Sequence, residues 1–116
     1  MITIYYNSKC SKCRQTLALL QEKTDEEINI IEYLKTPPSI EELQQILQKL
    51  NLNPQEIIRK GEEEFQEFKG KEFSDKEWIQ ILHDHPKLIQ RPIVIINEKA
   101  VIARPPENVL KILQLP

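Results

Sequence analysis

Short runs of β-branched and aromatic residues predict strands near both ends of the chain. Residues 2–6 and 28–32 have this composition, and the continuous apolar run 93–96 is typical of a strand covered on both faces. A two-residue turn follows this run, and residues 100–103 are predicted to pair back as the second strand of a hairpin.

Helices are predicted between these strands by apolar residues spaced three and four apart and by capping signals. The predicted helices cover residues 11–23 and 40–50, a short segment from Asn53 through Arg59, a segment that carries Trp78, Ile81 and Leu82, and a last segment that begins at Pro105-Pro106. The buried face of the 40–50 helix is predicted to consist of Leu43, Ile46, Leu47 and Leu50. This order of elements predicts an α/β protein, a single domain over 1–116 with a helical insertion over about 36–90.

The composition is that of an ordinary folded domain, and it narrows the choice of partners. Hydrophobic residues make up 40% of the 116 residues, and the net charge is −2. So small a charge argues against a general nucleic-acid or membrane-surface binder. The N-terminal segment has the pattern of a strand and lacks that of a signal peptide. We therefore expect a cytoplasmic protein with no nucleic-acid or membrane partner.

The motif Cys10-x-x-Cys13 stands where the first strand passes into the first helix. A helix N-terminus carries partial positive charge and free amide donors, and both lower the pKa of a cysteine placed there. Arg14 adds nearby positive charge. We expect Cys10 to lie at the exposed mouth as the nucleophile, and Cys13, one turn further in, to be a candidate resolving thiol.

Two plainer interpretations of the cysteines remain. Either cysteine could simply be a small residue of the hydrophobic core, and this interpretation is stronger for Cys13 than for Cys10. The pair could also form a zinc site with His83 and His85. Side chains in a His-x-His pair at a helix end point in different directions, and Pro86 marks His85 as a helix stop. We therefore expect no metal.

Three arginines stand at predicted element boundaries, next to apolar residues: Arg59, Arg91 and Arg104. A single arginine in such a place is usually a solvated charge on a packed stem. Three guanidinium groups that converge on one thiol would instead form a clamp for a tetrahedral oxyanion, because each fork binds two oxygens. The sequence alone leaves open whether they converge.

Five segments of the chain together resemble the glutaredoxin-dependent branch of the arsenate reductase family, in the thioredoxin superfamily. They occur in the family's order and are ITIYYNSKCSKCRQTL, EYLKTPPS, IIRKGEEEF, HPKLIQRPIVI and ARPPENVLKIL. The resemblance implies a thioredoxin-like fold, in which helices flank a mixed four-stranded sheet, with an inserted helical subdomain.

The resemblance also implies an activity and a set of site residues. Cys10 would be the nucleophile, and Arg59, Arg91 and Arg104 would bind and stabilise the arsenic oxyanion. A cis peptide bond at Arg91-Pro92 would face the cysteine loop. Arsenate would be reduced to arsenite with glutathione as co-substrate and glutaredoxin or thioredoxin as protein partner. No cofactor would be bound, and the protein is expected to be a monomer.

The chain departs from the family pattern at three positions and thereby leaves two alternatives open. Tyr6 replaces a frequent histidine, Ser8 a frequent proline and Cys13 a common serine. The paired cysteines resemble the Spx-type regulators, which share the fold and bind RNA polymerase, although those typically lack an arginine at the position of Arg104. A general thiol–disulfide oxidoreductase is the second alternative.

Overall fold

The computed structural model describes residues 1–113, which form two compact units. One unit combines Met1–Thr36 with residues 91–113, and the other is Pro37–Gln90. In chain order the strands and α-helices are β1 (Ile2–Tyr6), α1 (Ser11–Lys23), β2 (Ile28–Glu32), α2 (Ile40–Leu50), α3 (Asp75–Asp84), β3 (Ile93–Ile96), β4 (Lys99–Ile102) and α4 (Val109–Leu113). Whether the units fold as a single domain stays a prediction.

The first unit is built on a mixed four-stranded sheet with the order β2-β1-β3-β4. Strand β1 is parallel to β2 and antiparallel to β3, and β4 returns antiparallel to β3. The parallel pair is joined through α1, as parallel neighbours require. The predicted α/β class and the mixed sheet are confirmed.

The register of this sheet brings four chain segments to one edge. Tyr6, the last residue of β1, pairs with Glu32, the last residue of β2. Tyr5 pairs with Ile93, which begins β3 and in turn pairs with Ile102, which ends β4. The residues that follow β1, β2 and β4 and those that precede β3 therefore share this edge.

The core of the first unit lies under the sheet, where α1 and α4 supply apolar side chains. Its fully buried members are Ile2, Ile4, Leu20, Val94, Ile96, Ala103 and Val109. Tyr6, Leu17, Ile112 and Leu113 pack against them and remain half-buried. Ile2, Ile4 and Tyr6 share one face of β1 because side chains alternate along a strand. The strand that leads to Cys10 is thus anchored by its apolar face.

In the second unit, two capping boxes define the starts of α2 and α3, as predicted. The Ser39 hydroxyl accepts the Glu42 backbone N–H at 3.1 Å, and the Glu42 carboxylate accepts the Ser39 N–H at 2.9 Å. Ser74 and Glu77 repeat the same pair of bonds at the start of α3. Each box satisfies two backbone donors that a helix N-terminus would otherwise leave free.

The short helix predicted from Asn53 through Arg59 is wrong at its end. It is a 3₁₀ helix over Pro54–Ile57. Ile58 has extended backbone and forms an isolated antiparallel bridge with Ile89. A tertiary pairing that the local pattern does not contain thus ends the helix two residues early.

The hairpin and the last helix differ from their predicted bounds by small amounts. Asn97 adopts φ 56°, and the two-residue turn pairs Ile96 with Lys99, so that β4 begins one residue earlier than predicted. The last helix opens as a 3₁₀ turn over Pro106–Asn108 before α4, because the N–H of Asn108 bonds to the carbonyl of Pro105 at 3.0 Å.

Two predicted core positions are less buried than expected. Leu50, at the end of α2, and Ile81 of α3 are both half-buried, whereas Ile79 is buried. Leu50 occupies the last turn of its helix, and the buried stripe of α3 is formed by Trp78, Ile79 and Leu82. Within residues 1–113, no helix has the length and apolar composition needed to cross a membrane.

Candidate active site

The shared sheet edge carries two sulfurs, two arginines and a tyrosine. Cys10 lies four residues after β1, and Tyr33 directly follows β2. Arg91 stands two residues before β3, and Arg104 stands two residues after β4. Residues that are far apart in sequence are thus brought together because each borders a different strand of the same sheet.

Backbone hydrogen bonds fix the loop that presents Cys10. The Cys10 N–H bonds to the Asn7 carbonyl at 3.0 Å, and the Lys9 N–H bonds to the Asn7 side-chain oxygen at 3.0 Å. Cys10 is the N-cap of α1, and its carbonyl accepts the Arg14 N–H at 3.1 Å. The Arg14 guanidinium also donates to the Ser8 carbonyl at 2.6 Å. Arg14 therefore stabilises the loop between β1 and α1.

The expectation that Cys10 lies exposed at the helix mouth is wrong. Its relative exposure is 7%, and that of Cys13 is 0%. The Arg91 side chain and Cys13 both interact with the Cys10 sulfur. Both cysteines are free thiols.

The pKa of Cys10 is lowered from 9.0 to about 7. Burial alone raises it, since a thiolate loses hydration in the interior. Burial is the largest single influence, and it is outweighed only by the sum of the hydrogen bond from Arg91, the hydrogen bonds from the Cys13 backbone N–H and thiol, and the charge of Arg91. Near neutral pH roughly half of the Cys10 side chains are therefore thiolate, the nucleophilic form.

The pKa of Cys13 moves in the opposite direction, to about 12. Burial is the main cause, and the hydrogen bond to Cys10 and the negative charge on Cys10 raise it further. Near neutral pH Cys13 thus remains a neutral thiol, whose S–H donates to the Cys10 thiolate. The two cysteines of one motif are electrostatically different.

Arg91 links the thiolate to the rest of the edge. Burial acts to lower the pKa of Arg91, but interactions with the side chains of Cys10 and Tyr33 raise it above its ordinary value. Within residues 1–113 its buried Nε has no hydrogen-bond partner. The peptide bond Arg91-Pro92 is cis. A buried cationic N–H donor thus stands next to the nucleophile.

The Arg104 side chain is hydrogen-bonded to the backbone of Arg91. Its Nη1 donates to the Arg91 carbonyl at 2.9 Å, and its side chain is exposed. The amide of Asn108 donates to the carbonyls of Ile102 and Arg104, each at 3.3 Å. The peptide bond Arg104-Pro105 is also cis. The Arg104 guanidinium therefore lies beside the backbone of Arg91 at this edge.

Arg59 belongs to the second unit, where it has partners of its own. Its Nη1 forms an ion pair with the carboxylate of Glu62 at 3.0 Å. Its backbone N–H bonds to the carbonyl of Leu88 at 2.7 Å. The structure therefore shows Arg59 as a half-buried, paired cation, and its place in an oxyanion clamp stays a prediction.

The two histidines of the zinc alternative are engaged elsewhere in the second unit. The Nδ1 of His83 lies 2.8 Å from the carbonyl of Pro38, and that of His85 lies 3.0 Å from the carboxylate of Glu64. Over residues 1–113, no group of three or more His, Cys, Asp or Glu side chains is placed to hold a metal ion. His85 caps the end of α3, as predicted.

Sequence reasoning missed Tyr33 and Asn108 as members of this edge. The signal for Tyr33 is its place directly after β2, since residues that follow neighbouring parallel strands share an edge. The cis peptide bond Arg104-Pro105 was also not predicted. Its signal in the sequence is weaker, because an Arg-Pro pair is compatible with either isomer.

Comparison with known proteins gives consistent results. The model of the ArsC family matches residues 5–112. An arsenate reductase from Haemophilus influenzae is 41% identical and covers 97% of this chain and 98% of its own length. An uncharacterised protein, YfgD of Escherichia coli K12, is 41% identical, with 96% and 95% covered.

Solved structures agree with the sequence comparisons. An arsenate reductase from Vibrio cholerae superposes with a TM-score of 0.90 at 44% identity, covering 96% of both chains. A protein from Yersinia pestis titled as an arsenate reductase candidate also gives a TM-score of 0.90, at 38% identity, covering 96% of this chain and 99% of its own. The thioredoxin-like fold that the resemblance implied is therefore confirmed.

Proposed function

The chain belongs to the ArsC family, and from this premise we propose that it reduces arsenate to arsenite with the Cys10 thiolate as nucleophile. Similar proteins that cover nearly all of the chain carry the name arsenate reductase. The observation that carries the proposal is the pairing of Cys10, whose pKa lies near 7, with the Arg91 guanidinium. A thiolate and an oxyanion repel each other because both are negatively charged. A neighbouring guanidinium offsets this repulsion, so the thiolate can attack the anion.

In the first step, the Cys10 thiolate attacks the arsenic of dihydrogen arsenate. The new S–As bond forms as one As–O bond breaks, and that oxygen leaves as water with both protons of the anion. Arsenic remains As(V) at this stage. Negative charge on the remaining oxygens is stabilised by Arg91, whose buried Nε is a free donor within residues 1–113, and by Arg104, whose guanidinium is bonded to the Arg91 carbonyl.

Reduction then requires two thiols from outside the protein. Glutathione replaces a second arsenic oxygen, which leaves as water after taking up the thiol proton of glutathione and one proton from solvent. A glutaredoxin thiolate attacks the glutathione sulfur. The electron pair of the broken As–S bond stays on arsenic, which becomes As(III). Water releases arsenite from Cys10. The two electrons come from glutathione and glutaredoxin, which end as a mixed disulfide. No bound cofactor takes part, and the protein acts as a monomer.

Cys13 offers a second route, which we rank below the glutathione route. Its thiolate would attack the Cys10 sulfur of the arsenic adduct, and the electron pair of the broken S–As bond would stay on arsenic, which leaves as arsenite. The resulting Cys10–Cys13 disulfide would then be reduced by thioredoxin or glutaredoxin. Burial, which persists after Cys10 has reacted, is the largest cause of its raised pKa of about 12. Cys13 is therefore a poor nucleophile near neutral pH, although the same pair leaves a general thiol–disulfide oxidoreductase as the second candidate function.

Arg59 completes the proposed clamp on the strength of the resemblance. Its guanidinium must then exchange the Glu62 carboxylate, now at 3.0 Å, for arsenate oxygens. Arg59→Lys should lower turnover by about 10-fold or more, since lysine lacks the fork that grips two oxygens. Glu62→Gln serves as the matched control and should retain or improve arsenate binding.

The experiment that tests the proposal measures arsenite release with three reductant systems. The pure protein is given arsenate with glutathione alone, with glutathione plus glutaredoxin, or with thioredoxin and its reductase. We expect sustained turnover only with glutathione plus glutaredoxin. Turnover with thioredoxin alone would move the mechanism to the Cys13 route. Reduction of a general disulfide substrate without any arsenite release would favour the oxidoreductase instead.

A further inference from the structure

We propose that the second unit holds a binding cleft for a planar aromatic carboxylate, formed by its aromatic side chains and two lysines. The cleft has a volume of about 460 Å³, which is within the range of small-molecule sites. All the residues that line it belong to Pro37–Gln90. This inference goes beyond the proposed reduction of arsenate and does not depend on it.

The chain places every phenylalanine and its only tryptophan at this cleft. These four residues fall within one short stretch of the sequence, and all of them line the cleft: Phe65, Phe68, Phe73 and Trp78. Trp78 is buried, whereas the three phenylalanines are half-buried. Half-exposed aromatic rings gathered around one cleft are typical of ligand sites, which are lined mainly by such side chains.

Local structure explains how these rings converge. Phe65 and Phe68 are three residues apart in one 3₁₀ helix, where side chains at this spacing lie one above the other. Gly70 has φ 76°, which residues with a Cβ rarely adopt, and the turn there lets the Phe73 ring meet the Phe68 ring edge-on at 6.0 Å. The centroids of the three phenyl rings lie 4.9 to 6.5 Å from that of Trp78. The indole is thus surrounded by rings.

The indole nitrogen of Trp78 lacks an acceptor. Trp78 is 4% exposed, and its buried Nε1 has no hydrogen-bond partner within residues 1–113. A buried indole N–H normally donates to an oxygen, because an unpaired donor bears the full cost of its desolvation. Trp78 lines the cleft, so the acceptor that we assign to it is a carboxylate oxygen of the bound ligand.

The charges at the cleft favour an anion. Residues 37–90 carry eleven acidic and seven basic side chains, whereas the cleft is lined by two lysines and one acidic residue, Glu72. Both lysines, Lys60 and Lys71, are exposed, and neither forms an ion pair within residues 1–113. The lysines therefore attract a carboxylate, and the rings favour a planar aromatic ligand, since aromatic pairs contribute beyond the area they bury.

The experiment uses the single tryptophan as a reporter inside the cleft. In isotope-labelled protein the indole Nε1–H gives one NMR signal, because the chain has one tryptophan. This signal is followed during titration with naphthoate, with naphthamide, which keeps the rings and removes the charge, and with cyclohexanecarboxylate, which does the opposite. We expect naphthoate to reach half-saturation at about 1 mM or below, as suits a ligand of its size. The other two compounds should bind about 5-fold more weakly.

A pair of double variants tests the lysines. Lys60→Gln combined with Lys71→Gln should weaken naphthoate about 5-fold and leave naphthamide unchanged, because two exposed charge contacts are lost. The matched control combines Lys69→Gln with Lys76→Gln, which removes the same charge from exposed lysines of this unit that do not line the cleft. The control should bind naphthoate within about 2-fold of the wild type.

Several results would overturn the proposal. They are an indole signal that shows no saturable shift with naphthoate, equal affinities for naphthoate and naphthamide, and equal losses in the two double variants. Shifts at Cys10 and Arg91 with an unchanged indole signal would place the anion at the sheet edge of the first unit and would overturn it as well. The comparison of the three compounds needs no variant to fold.

These outcomes are separable from those of the proposed function, because the titrations contain no arsenate or glutathione. Saturable binding of naphthoate at the indole, in a protein that releases no arsenite, would uphold the cleft and remove the reductase. Normal arsenite release without naphthoate binding would do the reverse.

Discussion

Replacing Arg91 tests the electrostatic basis of the site. In Arg91→Met the Cys10 thiolate loses its strongest favourable partner and keeps the burial that opposes ionisation. The lowering from 9.0 to about 7 corresponds to roughly 3 kcal/mol in favour of the thiolate. Without Arg91 we expect the pKa of Cys10 to return to its ordinary value or above. Arg91→Lys keeps the positive charge and loses the planar guanidinium. The pKa of Cys10 in this variant should therefore lie between its values in the wild type and in Arg91→Met.

The assay combines the midpoint of thiolate absorbance with the rate of alkylation at pH 7. The thiolate fraction in Arg91→Met should fall from about one half to about 1%, roughly 50-fold. The alkylation rate should fall less, by about 5- to 10-fold, since a more basic thiolate is intrinsically more reactive. A midpoint that stays within about half a unit of 7 in Arg91→Met would refute the reasoning, because another group would then stabilise the thiolate.

Three further predictions concern the neighbouring thiol, the second guanidinium and the cap of α3. Cys13→Ser keeps a hydrogen-bond donor to Cys10 and should retain glutathione-dependent activity and a Cys10 pKa near 7. Cys13→Ala should raise the pKa of Cys10, and the titration of thiolate absorbance distinguishes the two variants. Arg104→Lys should lower arsenate turnover by about 30- to 1000-fold with an unchanged melting temperature, and full activity would remove Arg104 from the site. Ser74→Ala should destabilise the protein by about 1 kcal/mol, or about 4 °C in a thermal melt. The pKa of Glu77 is lowered by its bonds to Ser74, so the contribution of that carboxylate should be complete at neutral pH and disappear as the pH falls through its folded-state pKa.

Local signals in the sequence were sufficient for most elements of the fold. Strands β1, β2 and β3 and helices α1 and α2 have the predicted bounds, because alternation, β-branched runs and the Ser39 capping box act over a few residues. The helix predicted through Arg59 failed for a different reason. Its end is decided by the pairing of Ile58 with Ile89, about thirty residues away, which no local pattern contains.

The candidate site was predictable in its chemistry and less so in its geometry. The motif at a helix start correctly indicated a Cys10 with a lowered pKa, but the main favourable partner is Arg91, from the far end of the sequence. Cys10 is 7% exposed, so its expected exposure was wrong, because the position of a residue at a helix start does not determine which tertiary neighbours surround it. Tyr33 was missed as a member of the edge because its place there depends on the pairing of β1 with β2.

The central claim, that Cys10 is the nucleophile of an arsenate reductase, is tested most directly by arsenite release from Cys10→Ser. Arsenite is quantified after incubation with arsenate, glutathione and glutaredoxin, and a thermal melt is recorded for the same sample. We expect the wild type to turn over many times and Cys10→Ser to release no arsenite above the protein-free control, with a melting temperature within a few degrees of the wild type. Wild-type turnover by a folded Cys10→Ser variant would contradict the account.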